Sequence, residues 1–214
     1  MYFPYYEDCQ GRANILHLSW AISTSAKRHI RSIADFKNGK IGVSRIGSGS
    51  YVMGFVLADQ QGWLQQSSSS TAAPFKVTPL QTFDQLRASV NDNTLDFFMW
   101  EHFTSKRYYD NGEIKRVGEI YTPWSSRMIV ATSALVQGSI TDLRLEAFFD
   151  KLNKGIEYFG AHQEEAVEHM STELDYLAGD AREWLKTAEF SKNVNDIDLN
   201  VIVKTIDTLK KAEL

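Results

Sequence analysis

The sequence predicts an α/β fold with a largely parallel sheet, followed by a helical C-terminal part. Two observations lead to this expectation. Up to about residue 132, short apolar runs typical of buried strands alternate with segments whose apolar residues have helical spacing. From about residue 140 onward, one helical pattern follows another. Alternating strands and helices favour parallel strands with helices packed on the sheet.

The first predicted elements surround a loop rich in serine and glycine. Residues 15–24 (ILHLSWAIST) are predicted to form a buried strand because they are mostly apolar, with β-branched and aromatic side chains. A second strand over 40–44 leads into the loop, and a helix over about 50–61 follows it. Ser48 or Ser50 can cap the start of this helix.

The remaining elements continue the alternation. We expect strands over 75–80, 95–100, 115–121 and 127–132, and helices over 82–91 and 101–110. The helical part carries two apolar stripes, one of Val167, Met170, Leu174 and Leu177 and one of Leu199, Ile202, Ile206 and Leu209. These stripes predict helices that cover the sheet or a neighbouring lobe.

Composition narrows the class of protein. The 214 residues are 43% hydrophobic and carry a formal net charge of −4, without a run of Lys or Arg, so we expect no nucleic-acid partner. Cys9 is the single cysteine, which excludes an intrachain disulfide and a cysteine-based metal site. No segment approaches the roughly 18 apolar residues of a membrane span. We therefore expect a soluble, cytoplasmic protein that holds no metal and no cofactor.

The segment RIGSGSYVMG, residues 45–54, lies between a predicted strand and a predicted helix. Its glycines allow close backbone approach, and the N–H groups at a helix start favour an anion or a polar oxygen. It is not a nucleotide loop, because no lysine occurs between residues 41 and 75 and because Val52 stands where the GxGxxG pattern that starts at Gly47 needs its third glycine. The segment is either a binding loop for a small polar ligand or a tight turn with a serine cap.

Two further candidates lie at predicted strand ends. Trp100, Glu101 and His102 end the strand 95–100, where they either line a pocket or form a core Trp beside a solvated pair. Glu101 and His102 suggest acid–base chemistry, but no third residue completes a catalytic arrangement. The rigid turn TPWSS, residues 122–126, fits a crossover between lobes.

A fourth candidate is the set of His162, Glu165 and His169, which share one face of a predicted helix. Two histidines with an acid between them can bind zinc, but the HExxH pattern of zinc proteases is absent. Acidic residues crowd 157–175, so a solvated helix face is the preferred interpretation.

Four segments resemble the type II periplasmic-binding-protein fold. They are LSWAIST, DFKNGKIGVSRIGSGSYVMGFVLADQQGW, LRASVNDNTLDFFMWEHFTSKRYYD and EIKRVGEIYTPWSSRMIVAT. This superfamily contains binding proteins for sulfonates, nitrate and related solutes, and the thiamine-pyrimidine synthases. The chain is most similar to a largely fungal, intracellular group within it. The resemblance covers about residues 15–135 well and the helical tail loosely.

The resemblance implies two lobes with mixed, mostly parallel sheets. A partial first lobe with C-terminal helices would comprise 1–36 and 127–214, and a second lobe would comprise 37–126. Complete members carry an amino-terminal half-lobe before the segment similar to LSWAIST, so we expect the first lobe to be incomplete. Thiamine-pyrimidine synthases use a cysteine-rich motif, which a chain with Cys9 alone does not offer.

The resemblance also implies a set of ligand contacts and a mechanism of capture between lobes. The contacts are Ser44, Gly47, Ser48, Gly49, Ser50 and Tyr51 in the loop, Trp20 and Ser23 at a strand end of the first lobe, Trp100, Glu101 and His102 on the second lobe, and Trp124, Ser125 and Ser126 at the hinge. The leading hypothesis is a non-catalytic protein that binds a small polar or anionic ligand. The alternatives are an enzyme of pyrimidine-precursor biosynthesis and a remnant that acts by pairing with another chain. That other chain could be a second copy of this one, which would give a homodimer.

Overall fold

A computed structural model describes residues 12–15, 18–64, 74–122, 127–129, 143–174, 176–188, 190 and 199–211. The strands are β1 (Arg12–Ile15), β2 (Ser19–Ser25), β3 (Lys40–Val43), β4 (Lys76–Pro79), β5 (Phe97–Glu101), β6 (Ile114–Tyr121) and β7 (Arg127–Ile129). The helices are α1 (Gly49–Gln60), α2 (Phe83–Asn91), α3 (His102–Asp110), α4 (Leu143–Ala161), α5 (Gln163–Thr172), α6 (Ala178–Leu185) and α7 (Leu199–Lys211), with a 3₁₀ turn at Ile33–Phe36.

The chain forms two compact units. Unit 1 contains the described residues between Ser19 and Thr122 and those from Thr205 onward. Unit 2 contains the described residues up to Leu18 and those between Pro123 and Lys204. β2 and the 3₁₀ turn lie within unit 1, where β2 pairs with two strands of the sheet. The expected boundaries of the two lobes stay a prediction.

Unit 1 is built on a five-stranded sheet in the order β4-β3-β5-β2-β6. β3 is parallel to β4 and β5, while β2 runs antiparallel to both β5 and β6. The sheet is therefore mixed, as the sequence predicts, with four strands running in one direction and β2 in the other. The expected strand over 15–24 is in fact two elements, β1 and the longer β2.

Each face of this sheet is covered by its own apolar cluster. On one face, Leu86, Val90, Leu95, Phe98 and Ile114 are buried together. Gly42 in β3 allows this packing, because a Cβ at its position would lie 2.7 Å from Leu86 Cδ2. On the other face, Phe97 stacks on Phe36 with ring centroids 4.5 Å apart and meets Phe75 at 5.1 Å, and α1 approaches through Gly54, which lies against Ile41 and Phe75. The helix expected over 50–61 is thus confirmed as a core helix.

Unit 2 contains the antiparallel pair β1–β7 and the helices α4, α5 and α6. Val167, Met170, Ala181 and Leu185 form its buried cluster. The predicted stripe is wrong beyond Met170, since α5 ends at Thr172 and the side chains of Leu174 and Leu177 are exposed. Among the described residues, no helix is both long and apolar enough to cross a membrane.

Candidate functional site

Most of the predicted contact residues meet at one edge of the unit 1 sheet. The carboxyl ends of β3, β5 and β6 lie there, together with the start of the antiparallel β2. In the strand register, Trp20 of β2 lies opposite Glu101 of β5 on one side and opposite Ile120 of β6 on the other. Because α1 and α3 also begin at this edge, helix N–H groups and strand-end side chains converge, which is the usual place for ligands in open α/β sheets.

Three serines organise the start of α1. Ser48 is the N-cap residue, and its hydroxyl accepts a hydrogen bond from the Tyr51 N–H at 3.4 Å. The hydroxyl groups of Ser48 and Ser50 lie 2.9 Å apart, and Ser50 Oγ also accepts from the Ser44 N–H at 3.1 Å. Ser48 and Ser50 are 3% and 1% exposed. Their hydroxyls therefore hold the loop in shape rather than pointing into solvent.

Glycines let the loop before α1 approach β2, the strand that carries Trp20. Gly47 has φ 74°, a left-handed conformation that favours glycine. Gly49 lies against the indole of Trp20, since a Cβ at its position would be 2.9 Å from Cζ2 and 3.0 Å from Cη2. The close approach brings the aromatic ring to the amino end of α1.

The indole of Trp20 has an unsatisfied donor. Its Nε1–H is buried and has no hydrogen-bond partner within the part of the chain that the structure describes. Nε1 is two bonds away from Cζ2, the ring atom that faces Gly49, so this donor lies near the start of α1. An unpaired buried donor costs about 1–3 kcal/mol, so an acceptor supplied by a ligand would stabilise this arrangement.

Glu101 is occupied by the start of α3. Its carboxylate accepts hydrogen bonds from the N–H groups of Phe103 at 3.0 Å and Thr104 at 2.7 Å, which makes it the N-cap of α3. Among the described residues no hydrogen bond joins Glu101 to His102. The acid–base pairing considered from the sequence therefore gains no support from the geometry. Trp100 is partly buried and stacks on Phe83 with ring centroids 5.1 Å apart.

His102 belongs to a polar network on β6. Its Nδ1 lies 3.4 Å from Nη1 of Arg116, which can only donate, so Nδ1 is the acceptor and the neutral ring carries its proton on Nε2. Arg116 also pairs with Glu119 at 2.9 Å, and Glu119 accepts from Ser19 Oγ at 2.9 Å. The pKa of His102 is lowered, mainly by burial and to a smaller extent by the nearby positive charge of Arg116.

Arg116, Glu119 and Tyr121 of β6 are residues that the sequence analysis missed. Arg116 lies near the start of β6, opposite Ser23, whereas Glu119 and Tyr121 lie near its end. Tyr121 is 53% exposed, and its hydroxyl donates to Glu119 at 3.3 Å. Polar residues clustered near the carboxyl end of the predicted strand 115–121 were the available signal.

One predicted contact lies away from this edge. Ser23 is 0% exposed and lies deeper in β2, where its hydroxyl is 2.6 Å from the Tyr109 hydroxyl. It therefore holds α3 against the sheet. Trp124, Ser125 and Ser126 lie outside the described residues.

The zinc alternative finds no support in unit 2. His162 lies between α4 and α5 rather than on one helix with Glu165 and His169, because α4 ends at Ala161 and α5 starts at Gln163. Among the described residues no group of three or more His, Cys, Asp or Glu side chains is arranged to hold a metal ion.

The fold of this chain is that of the periplasmic binding proteins. The aliphatic sulphonate binding protein SsuA of Escherichia coli superposes with a TM-score of 0.59 over 97% of this chain and 64% of its own, at 12% identity. The alkanesulfonate-binding protein SsuA of Xanthomonas axonopodis pv. citri, bound to MOPS, gives a TM-score of 0.65 over 97% and 76%, at 13% identity. At such identities the similarity concerns the fold.

A closer relationship defines the family. The CA3427 gene product of Candida albicans, described as defining a new family with the generic periplasmic binding protein fold, is 42% identical, with a TM-score of 0.81 over 97% of this chain. The sequence profile of the Ca3427-like periplasmic binding proteins matches residues 20–120. The chain therefore belongs to the Ca3427-like family. It spans 67% of the length of the Candida protein, and no curated protein sequence matches it.

Proposed function

We propose that the chain binds a small polar ligand, one that offers an anionic or carbonyl oxygen, at the strand-end edge of unit 1. The observation that carries this proposal is the Trp20 Nε1–H, which is buried beside the amino end of α1 and has no hydrogen-bond partner among the described residues. The membership of the chain in a family with the periplasmic-binding-protein fold supports a binding role in general.

The electrostatics of the edge favour an oxygen acceptor at α1 more than at α3. The start of α3 is already neutralised by the Glu101 carboxylate, which accepts from two of its N–H groups. The start of α1 has no acidic residue in its first turn, and its cap is the neutral hydroxyl of Ser48. The positive end of the α1 dipole is therefore not compensated by a side-chain charge.

Ligand entry requires a local shift. Because Trp20 Nε1 has essentially no exposed surface, neighbouring groups must move before an acceptor can reach it. Changes of side-chain rotamer on binding are common.

A thermal-shift screen of the full chain tests the proposal. The panel is ethanesulfonate, nitrate, glycerol phosphate, a pyrimidine and pyridoxal phosphate. A compound present at about 100 times its dissociation constant stabilises the folded state by about 2.7 kcal/mol. We expect at least one to raise the melting temperature of the wild type and to raise it much less in Ser48→Ala and Trp20→Phe.

Two matched controls separate a lost site from a lost structural contact. Thr82→Ala removes the N-cap of α2, whose hydroxyl accepts from the Gln85 N–H at 3.3 Å, and Trp63→Phe alters another partly buried Trp of unit 1. Both controls should keep the full ligand-induced shift. The proposal fails if no compound stabilises the wild type, or if all four variants respond as the wild type does.

A second candidate function, pairing with another copy of the chain, is favoured by apolar exposure in unit 2. Leu143, Phe148 and Leu177 are 76%, 48% and 61% exposed. Sedimentation velocity over a range of concentrations tests this candidate. A dimer that weakens in Phe148→Ser supports it, and a monomer at all concentrations excludes it.

A further inference from the structure

A cavity separate from the strand-end edge lies within the helices of unit 2. Its volume is about 530 Å³, and its walls include Tyr158, Phe159, His162, Glu165, His169 and Trp184. This volume falls within the roughly 300–1,000 Å³ that small-molecule sites occupy. The proposed function does not use these residues.

The apolar part of the cavity is anchored in a packed core. Phe159 and Trp184 are partly buried and pack against the cluster of Val167, Met170, Ala181 and Leu185. Phe159 also meets the Phe190 ring edge-on, with centroids 5.4 Å apart. The aromatic walls are therefore held in place before any ligand arrives.

The wall offers acceptor atoms on His162 and Glu165, alongside donors such as the Trp184 indole N–H. His162 Nδ1 lies 2.8 Å from the Tyr158 carbonyl oxygen and must donate to it, which leaves Nε2 of the neutral ring as an acceptor. The Tyr158 hydroxyl donates to Glu165 Oε2 at 2.8 Å, and no described residue donates to the other carboxylate oxygen. His169 offers a further imidazole. No lysine or arginine lines the cavity among the described residues.

The surrounding charge is negative. Residues 143–186 contain five Lys or Arg and ten Asp or Glu, a formal charge of −5, while the whole chain carries −4. Two of these cations are already paired, Arg182 with Glu164 at 2.7 Å and Lys186 with Glu183 at 2.6 Å. The field around the cavity therefore attracts a cation.

We propose that this cavity binds a protonated organic amine, with its apolar or aromatic body against Phe159 and Trp184 and its N–H donors directed to Glu165 and His162. Acceptors in the wall call for donors on the ligand, and the aromatic rings add a favourable interaction with a nearby cation. Neither the family membership nor the proposed function assigns a ligand to this place.

Three probes test the chemistry on the full chain by two-dimensional ¹H–¹⁵N NMR, with the Trp184 indole signal assigned through Trp184→Phe. They are 2-phenylethylamine, 2-phenylethanol, which lacks the charge, and N,N,N-trimethyl-2-phenylethylammonium, which lacks the N–H donors. We expect the amine to shift the Trp184 and Ala166 signals at about 1 mM, in the range of weak specific binding. The two analogues should bind at least about fivefold more weakly, as expected when a charged hydrogen bond is removed.

A matched pair of variants tests the role of the carboxylate. Glu165→Gln keeps an oxygen that can accept from Tyr158 but removes the charge, and Glu146→Gln removes the same charge from an exposed position in the first turn of α4. We expect the first variant to weaken amine binding about threefold to fivefold, as for an exposed ion pair, and the second to leave it unchanged.

The outcomes that overturn the proposal are specific. Equal binding of the alcohol, equal binding of the trimethylated ion, equal effects of the two glutamine variants, or no shift at about 10 mM amine each contradicts it. Because Ser48→Ala lies in unit 1, it should leave amine binding intact. A failure at one site is thereby distinguishable from a failure at the other.

Discussion

Replacement of Gly49 by alanine tests the contact on which the proposed site is built. The added Cβ would lie 2.9 Å from Cζ2 and 3.0 Å from Cη2 of Trp20, whereas carbon atoms in contact prefer about 3.5–4.0 Å. The indole or the first turn of α1 must therefore move by about 0.5–1 Å, and such overpacking costs about 1–3 kcal/mol. Alanine recovers up to about 1 kcal/mol through helix propensity. The net loss of stability should be about 0.5–2 kcal/mol.

The assay is urea unfolding followed by the NMR amide signals of β3 and β5, which report on unit 1 alone. In a Trp20→Leu background the clash is absent, so the same Gly49→Ala change should be neutral or stabilising. The two single variants and the double variant then give a coupling energy of about 1–3 kcal/mol. Gly155→Ala is the control, because it lies in unit 2 and a Cβ there meets nothing within 4 Å, so the unfolding midpoint of the β3 and β5 signals should stay unchanged. An equal loss of stability in both Trp20 backgrounds would refute the proposed contact.

Three further predictions concern hydrogen bonds and charges of unit 1. Ser50→Ala should cost about 1–3 kcal/mol, because it leaves the Ser44 N–H without its acceptor, as urea unfolding can measure. Burial raises the pKa of Asp96, but hydrogen bonds from a backbone N–H and from Arg28 outweigh it and hold the pKa below its usual range. The ionised carboxylate therefore stabilises the wild type above about pH 4, and this stability is lost as the pH falls through the lowered pKa. Asp96→Asn should lack this stability. Burial and a neighbouring arginine lower the pKa of His102 in the folded state. Below about pH 6.5 the unfolded chain therefore binds more protons than the folded chain, and the stability should rise as the pH rises to that value.

A further variant or a comparison with the wild type checks each of these three predictions. Ser44→Ala leaves the backbone N–H in place and should be nearly neutral. The stability of Asp96→Asn should depend less on pH below about 4 than that of the wild type. His102→Gln should flatten the rise below about pH 6.5, and an unchanged slope would show that another group titrates there.

The local elements of unit 1 could be predicted from the sequence because each is a short pattern read along the chain. Helix α1 follows from its apolar spacing and from the serine at position 48, and the structure confirms both. The central antiparallel place of β2 could not be predicted in the same way. Strand pairing depends on partners about 70–100 residues away, and no local pattern records it.

Side-chain roles were predicted less well than elements. Glu101 was considered as an acid or base, yet it caps α3, because the N–H groups of the first helical turn need an acceptor. Ser23 was expected at a strand end, but β2 extends four residues beyond Ser19 before reaching it. Leu174 and Leu177 do not extend the stripe of α5, since the hydroxyls of Ser171 and Thr172 donate back to the Glu168 carbonyl in its last turn.

The central claim is that the Trp20 indole donor and the start of α1 form a site for a ligand oxygen. Titration of the full chain with each of the five screening compounds, followed by the Trp20 indole N–H signal, tests it most directly. The account predicts that a compound that raises the melting temperature also shifts this signal and the amide signals of Gly49 and Ser50 with one shared dissociation constant. Stabilisation by a compound that leaves the Trp20 signal in place would contradict the claim.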